Sequence, residues 1–151
     1  MDKEASEVVY VALGDSTGVG VGARHDGGYV ARIFTRIERV RPGSSLINLC
    51  ISGATTADVL REQTERVPRG SARLVTLGIG TNDVGRGITV EQFARNYEVI
   101  IQRLREQTIA PIVVTNIPDI SLAPVVPLPF RDEARRRITL FNKRIEEIGE
   151  R

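Results

Sequence analysis

Four short apolar runs alternate with helix-like segments along the 151 residues of this chain, and this alternation limits the folds open to it. The runs cover residues 8–13, 46–51, 74–79 and 112–115. Unbroken apolar runs of this length are typical of strands buried on both faces of a parallel sheet. Strands that alternate with helices join through right-handed crossovers, which place helices on both sheet faces. The sequence therefore predicts an α/β fold of three layers, α/β/α, around a doubly wound parallel sheet.

The segments between these runs carry the signals of helices and of one stiff loop. Thr55 and Asp58 form a possible capping box, and Thr89 is placed to cap a longer helix. The helix after Thr55 should end before Pro68, and the four prolines within 117–129 predict a stiff apolar loop that flanks a substrate. Apolar residues recur at helical spacing in three segments: Val30, Ile33, Phe34 and Ile37; Phe93, Tyr97, Ile100 and Leu104; Ala134, Ile138, Phe141, Ile145 and Ile148.

The length of the chain limits the number of domains, and its net charge limits the classes of partner. A chain of 151 residues is long enough for one domain, which we expect to span residues 1–151. Its formal net charge of +2 is too small to indicate a polyanionic partner. Because the basic residues recur among acidic ones along the predicted helices, no nucleic-acid partner is expected.

The cysteine count limits the possible disulfides and metal sites, and the hydropathy of the chain indicates its cellular location. Cys50 is the only cysteine, which excludes an internal disulfide and a thiolate metal cluster, and its apolar surroundings predict a buried structural thiol. No run approaches the roughly 18 apolar residues of a membrane span. The N-terminus carries no hydrophobic leader, so we expect a cytoplasmic protein.

Turns that follow the strands are where an α/β sheet of this kind binds its ligands, beyond the carboxyl ends of the strands. Three of them read G-D-S at 14–16, S-G-A at 52–54 and G-T-N-D at 80–83. Acyl transfer needs a nucleophile and donors aimed at a developing oxyanion, and a serine hydroxyl, backbone amides and an asparagine amide are suitable groups. Gly53 has no Cβ, which lets its N–H approach a substrate oxygen closely. Asp15 and Asp83 are expected to orient neighbouring loops by accepting backbone N–H bonds.

In order and in the strand that each follows, these turns resemble the first three sequence blocks of the SGNH (GDSL-type) ester hydrolases, which have a flavodoxin-like fold. The resemblance implies a serine ester hydrolase that cleaves acyl or acetyl esters of small molecules through an acyl-serine intermediate, with no cofactor and no metal. It makes Ser16 the nucleophile. It also implies an oxyanion hole formed by the Ser16 amide, the Gly53 amide and the side-chain amide of Asn82.

One block of that family is absent from the sequence, namely D-x-x-H, whose histidine is the general base oriented by the aspartate. The sole histidine, His25, follows the first strand and matches no family position, although its loop could bend back over Ser16. A serine without an adjacent base is a weak nucleophile. The family places a further strand, this block and a closing helix after the last helix, so we expect a C-terminally incomplete domain. A partner that supplies the base, or a binding domain that has lost catalysis and kept its pocket, are the alternatives.

An incomplete sheet would leave residues 112–115 at an exposed edge, which invites self-association through unpaired backbone groups. A different class of function, a dinucleotide-binding module, is suggested by the G-V-G-V-G-A of residues 18–23. That fingerprint is weak here because its first glycine comes three residues after the turn that leaves the strand. Asn48 and Cys50 also stand where an acidic residue is expected at the end of the second strand.

Overall fold

Four parallel strands form a sheet in the computed structural model of the chain, which describes residues 7–151. The expectation of a chain without a leader rested on residues 1–6 and lies outside the described part. The strand order is β2-β1-β3-β4, with helices on both faces. The predicted α/β class and parallel sheet are confirmed. The strands are β1 (Val9–Gly14), β2 (Ser45–Asn48), β3 (Leu74–Gly78) and β4 (Ile112–Val114).

Helices connect the strands, and their N-terminal signals are those that the sequence predicts. Thr55 accepts from the Asp58 N–H while the Asp58 carboxylate accepts from the Thr55 N–H, which confirms the capping box. Thr89 accepts from the Gln92 N–H at 3.2 Å. The helices are α1 (Ser16–Val19), α2 (Gly28–Val40), α3 (Thr56–Asp58), α4 (Thr81–Gly85), α5 (Val90–Gln107) and α6 (Arg131–Gly149). None of the helices in residues 7–151 combines the length and apolar character that crossing a bilayer requires.

The central strand β1 is buried because it pairs with β2 on one side and β3 on the other. Its side chains alternate between the two faces of the sheet. Val11 and Leu13 belong to the core on the side of α5 and α6, whereas Tyr10 and Ala12 pack with Val30 of α2. Each face of β1 is therefore covered by a separate apolar layer.

Gly14 ends β1 at a position that only glycine tolerates. Its φ is +150°, and a Cβ at this residue would lie 2.1 Å from the carbonyl oxygen of Gly78. The next residue, Asp15, donates its N–H to the same oxygen at 3.3 Å. This close approach of β1 to β3 lets the chain turn at once from the strand into α1, which begins at Ser16.

The second strand is shorter than the predicted 46–51. The side chain of Asn48 donates to the Gly18 carbonyl at 3.0 Å and accepts from the Cys50 N–H at 3.1 Å, and such local bonds compete with a strand ladder. The N–H groups of Leu49 and Ile51 nevertheless bond to carbonyls of β1. β3 and β4 each end one residue earlier than predicted.

The turns at residues 14–16 and 80–83 lead into the short helices α1 and α4, which the sequence does not predict. The segment after Thr55 ends before Pro68 as predicted, but it is not a regular α-helix. A π-helical turn, Val59–Gln63, follows α3, and a 3-10 turn, Thr64–Arg66, follows that. Another 3-10 turn, Leu128–Phe130, lies where the predicted proline-rich loop meets α6.

The strand β4 lies at an edge of the sheet, as the sequence predicts for residues 112–115. It pairs with β3, and within residues 7–151 no strand pairs with its other side. Val113 is 48% exposed on it. Self-association through this edge stays a prediction.

Candidate active site

The structure places Ser16, Gly53 and Asn82 beyond the carboxyl ends of three neighbouring strands. Ser16 comes two residues after β1, Gly53 lies in the turn after β2, and Asn82 is the second residue of α4 after β3. All three are half-buried. The last residues of β1 and β3 are paired in register, and the Asn82 side chain donates to the carbonyl of Ala54, next to Gly53, at 2.9 Å. The structure thus brings the three residues to one edge of the sheet.

Side chains from α4 and the turn after it hold the loop at residues 53–56. Asn82 bonds to the Ala54 carbonyl, and Arg86 donates to the Gly53 carbonyl at 2.9 Å. Asp83 accepts from the Thr56 N–H at 3.0 Å and from the Thr56 hydroxyl at 2.6 Å. These contacts fix the loop after β2 against the segment after β3, so the position of Gly53 depends on both.

Donors at this edge remain free. Among residues 7–151, the N–H groups of Ser16 and Gly53 have no hydrogen-bond partner, and Asn82 uses one of its two amide hydrogens on Ala54. Gly53 has a φ of +82°, in the left-handed region that favours glycine. Free N–H groups at a half-buried edge are suited to bind a substrate oxygen on which negative charge develops.

The two aspartates of these turns orient loops, as predicted. Asp15 is 1% exposed and accepts from the N–H and hydroxyl of Thr17 at 2.9 Å and 2.8 Å. Asp83 is fully buried and holds Thr56, whose hydroxyl also accepts from Asn96 of α5 at 3.0 Å. Both carboxylates are occupied by structural hydrogen bonds.

Burial raises the pKa of Asp83 above the ordinary aspartate value, because desolvation outweighs the hydrogen bonds from Thr56. A carboxyl whose pKa is higher in the folded chain holds its proton more tightly there. Its contribution to stability is full below the unfolded pKa and is lost as pH rises through the folded pKa. We expect the Tm of the wild-type protein, relative to Asp83→Asn, to rise as pH falls from neutral toward the ordinary aspartate pKa. Thermal melts of both proteins across that range check this, and a constant difference would contradict it.

The sole histidine does not complete the site in the described residues. His25 is exposed in the loop between α1 and α2, and within residues 7–151 no hydrogen bond joins it to Ser16. Cys50 is half-buried next to Gly18, and burial raises the pKa of its thiol to about 12. A thiol with that pKa is protonated at neutral pH. Cys50 is thus less buried than the sequence predicts, and its structural role stays a prediction. Across residues 7–151, no cluster of histidine, cysteine and acidic side chains is arranged to hold a metal ion.

The structure does not favour the dinucleotide-binding interpretation of residues 18–23. A dinucleotide fingerprint leads directly from a strand into the helix whose N-terminus binds the pyrophosphate. Here α1 ends at Val19, the following residues 21–27 form an exposed loop, and α2 begins only at Gly28. The glycines at 20 and 22 therefore do not open a helix.

Sequence reasoning missed two residues of this region. Arg86, which holds the Gly53 carbonyl, lies between two glycines of an exposed turn, where no pattern indicates a contact. Gln63 has both polar atoms of its side chain bonded to Gly14, and a single glutamine within a helical segment carries no such signal. Both contacts join residues that are distant in the chain.

Comparison with protein families gives a match over most of the chain. The model of the GDSL-like lipase/acylhydrolase family matches residues 12–151. No curated protein matched the chain.

Solved structures with the same fold include three enzymes. AlinE4, an SGNH-hydrolase family esterase, has a TM-score of 0.74 and 21% identity, over 97% of this chain and 72% of the esterase. The extracellular lipase from Streptomyces rimosus has a TM-score of 0.73 and 22% identity, over 95% and 76% of the two chains. A phospholipase A1 from Streptomyces albidoflavus has a TM-score of 0.71 and 22% identity, over 96% and 76%. At such identity these likenesses establish the fold.

Proposed function

The chain belongs to the GDSL-like lipase/acylhydrolase family, and from that membership we propose that it is a serine ester hydrolase working through an acyl intermediate on Ser16. The observation that carries the proposal is the grouping of Ser16 with the free N–H of Gly53 and the amide of Asn82 at one sheet edge. The esterase, lipase and phospholipase named above support an ester as the substrate.

In this mechanism the Ser16 hydroxyl oxygen attacks the carbonyl carbon of an acyl or acetyl ester, and the carbonyl oxygen takes up the negative charge. The N–H groups of Ser16 and Gly53 and the free amide hydrogen of Asn82 donate to that oxygen. The bond to the alcohol oxygen then breaks, the alcohol leaves with the proton that the Ser16 hydroxyl gave up, and the acyl group stays on Ser16. In the second step water attacks the acyl carbonyl carbon, the bond to the Ser16 oxygen breaks, and a carboxylic acid leaves as Ser16 regains its proton.

The Ser16 hydroxyl must lose its proton during the attack, and His25 is not assigned as the acceptor because it is exposed and has no hydrogen bond to Ser16 in the described residues. No other histidine exists in the sequence. Without an adjacent base, catalysis rests on the oxyanion donors and on substrate binding, which supply about 10³–10⁴-fold over water in serine hydrolases. A histidine brought to Ser16 by a further segment or by a partner would raise the rate beyond that level.

An apolar cavity supports an acyl chain as the bound part of the substrate. It has a volume of about 470 Å³ and is lined in part by Val84 of α4, the helix that carries Asn82. Val125 and Phe130, which are 82% and 63% exposed, both line it. Val125 belongs to the loop at residues 117–129 that the sequence predicts to flank a substrate, and Phe130 follows that loop directly. Burial of each CH₂ of an acyl chain contributes about 0.8 kcal/mol, so longer chains should bind more tightly.

We expect the rate constant kcat/KM to rise from acetyl toward octanoyl esters of p-nitrophenol. Replacing Ala134 of α6, which lines the cavity, by phenylalanine fills part of it. The octanoyl-to-acetyl ratio of kcat/KM should then fall by about tenfold, since losing the burial of one or two methylenes has an effect of that size. Initial-rate measurements over the chain-length series check this.

Leu140→Phe is the matched control, because Leu140 lies on the same helix, is 52% exposed and does not line the cavity. It should leave the ratio unchanged. A ratio that Ala134→Phe does not alter would contradict the acyl cavity. Ester binding without turnover in all forms of the protein would contradict the hydrolase itself.

A further inference from the structure

The side chain of Gln63 is fully buried, and both of its polar atoms bond to a single residue, Gly14. Its carbonyl oxygen accepts from the Gly14 N–H at 2.9 Å, and its amide nitrogen donates to the Gly14 carbonyl at 2.9 Å. Gln63 and Gly14 are 49 positions apart in the sequence. A buried glutamine that bonds both groups of one peptide residue clamps the backbone there in two directions.

The local structure on both sides of this contact is unusual. Gln63 is the last residue of the π-helical turn Val59–Gln63, and π turns are rare elements found frequently at functional sites. Gly14 has a φ of +150° and lies against the Gly78 carbonyl. Its own carbonyl also accepts from the Ile51 N–H at 3.1 Å. The residue at which the chain turns from β1 toward Ser16 thus contacts the segment after β2, the end of β3 and the π turn together.

We propose that Gln63 is a positioning residue for the Ser16 hydroxyl, acting through the backbone of Gly14; this inference rests on the proposed nucleophilic role of Ser16. Asp15 alone separates Gly14 from Ser16, so a rotation of the Gly14 peptide moves the hydroxyl directly. The bonds between Asp15 and Thr17 lie within α1 and its cap, and the bond from the Asp15 N–H to the Gly78 carbonyl is long, at 3.3 Å. Gln63 is the side chain that bonds both backbone groups of Gly14.

The test compares Gln63→Met with the matched control Thr64→Val. Methionine has nearly the shape of glutamine and cannot make either hydrogen bond. Thr64 is the next residue, is also fully buried, and bonds the Leu60 carbonyl at 3.1 Å within the same helical segment, so its loss leaves Gly14 untouched. The two variants therefore each remove buried hydrogen bonding from one segment, and only Gln63→Met frees the Ser16 turn.

Two quantities are measured on the full chain. One is the second-order rate of covalent labelling of Ser16 by a fluorophosphonate probe, together with kcat and KM for a p-nitrophenyl ester. Gln63→Met should slow labelling and lower kcat by about 10²-fold with KM unchanged, the effect of misplacing a reacting group by about 1 Å. The other is amide hydrogen exchange, in which the Gly14 N–H should exchange about tenfold faster, as expected for losing one hydrogen bond. Thr64→Val should leave both quantities at their wild-type values.

Gln63→Glu gives a second readout that a purely structural role does not move. A protonated carboxyl group offers one donor and one acceptor, as the amide does, whereas a carboxylate offers acceptors alone and cannot donate to the Gly14 carbonyl. The labelling rate of Gln63→Glu, relative to wild type at the same pH, should therefore recover as pH falls through the carboxyl pKa. This variant also tests the inference if Gln63→Met does not fold.

Each outcome of these measurements either supports or overturns the positioning role of Gln63. Slow labelling in Gln63→Met with normal labelling in Thr64→Val supports the inference, and recovery of Gln63→Glu at low pH supports it further. Equal labelling rates in wild type and Gln63→Met, or equal slowing in both variants, overturns it. A wild-type protein that is never labelled contradicts the proposed function instead. In that case hydrogen exchange at the Gly14 amide tests whether Gln63 fixes the turn before Ser16. Gln63→Met must accelerate this exchange, and Thr64→Val must not.

Discussion

Replacing Ser16 by alanine is expected to abolish acyl-enzyme formation and to give the largest loss of activity of any single change in this chain. The hydroxyl is the proposed nucleophile, and removing a nucleophilic serine lowers kcat by up to about 10⁶-fold when a base is in place. With a base supplied to Ser16, what remains in Ser16→Ala should be the residual rate that oxyanion donors and binding supply. Without such a base the wild-type rate already lies near that level, and loss of the acyl-enzyme is the effect that distinguishes Ser16→Ala. The measurement is hydrolysis of p-nitrophenyl butyrate, with mass spectrometry of the protein after treatment with a fluorophosphonate probe.

The stability of the fold should hardly change, because Ser16 is half-buried and its side chain has no hydrogen bond to the rest of the described chain. His25→Ala serves as the control, since His25 is exposed and has no hydrogen bond to Ser16 in the described residues. It should retain wild-type activity and labelling. A probe adduct on any residue other than Ser16, or full activity in Ser16→Ala, would rule out the proposed nucleophile. Loss of activity in His25→Ala would instead make His25 the base.

Replacing Asn82 by alanine should lower kcat by about 10²–10³-fold, the effect of removing one oxyanion donor. The KM of the ester should change little, because the free amide hydrogen binds the oxygen most strongly when it carries negative charge. The Asn82 side chain also bonds the Ala54 carbonyl at 2.9 Å, so part of any loss could come from loosening the loop at residues 53–56. Steady-state kinetics and thermal melting of the variant measure the two effects separately.

The variant Arg86→Met further separates the loss of an oxyanion donor from the loosening of the loop at residues 53–56. Arg86 holds the same loop through the Gly53 carbonyl at 2.9 Å and is not one of the proposed oxyanion donors. If Asn82 acts as a donor, Arg86→Met should lower kcat much less than Asn82→Ala does. Equal losses in the two variants, or a collapse in the melting temperature of Asn82→Ala, would show that Asn82 has a structural role alone.

The sequence by itself was sufficient for the fold class and for the order of the strands and long helices, although not for the short helices α1 and α4. Apolar runs and helical spacing are local properties, and each is preserved when the segment packs. The capping signals at Thr55 and Thr89 are equally local, because each joins residues only three positions apart, and both are confirmed. The turns that carry Ser16, Gly53 and Asn82 could be selected because parallel strands end on the same side of a sheet. Their chemical roles stay predictions.

Tertiary structure decided what depends on contacts between distant segments. The early end of β2 follows from Asn48 bonding Gly18, 30 positions away, and the loop at residues 53–56 is held by side chains that follow β3. The π turn that places Gln63 against Gly14 has no signature in the sequence, since the hydrogen bonds of Gln63 go to a residue 49 positions earlier. Such bonds form only when packing brings two segments to within about 3 Å, the length of a hydrogen bond. A pattern read along the chain contains no information on that distance, and for this reason the contacts of Asn48, Arg86 and Gln63 emerge only from the folded chain.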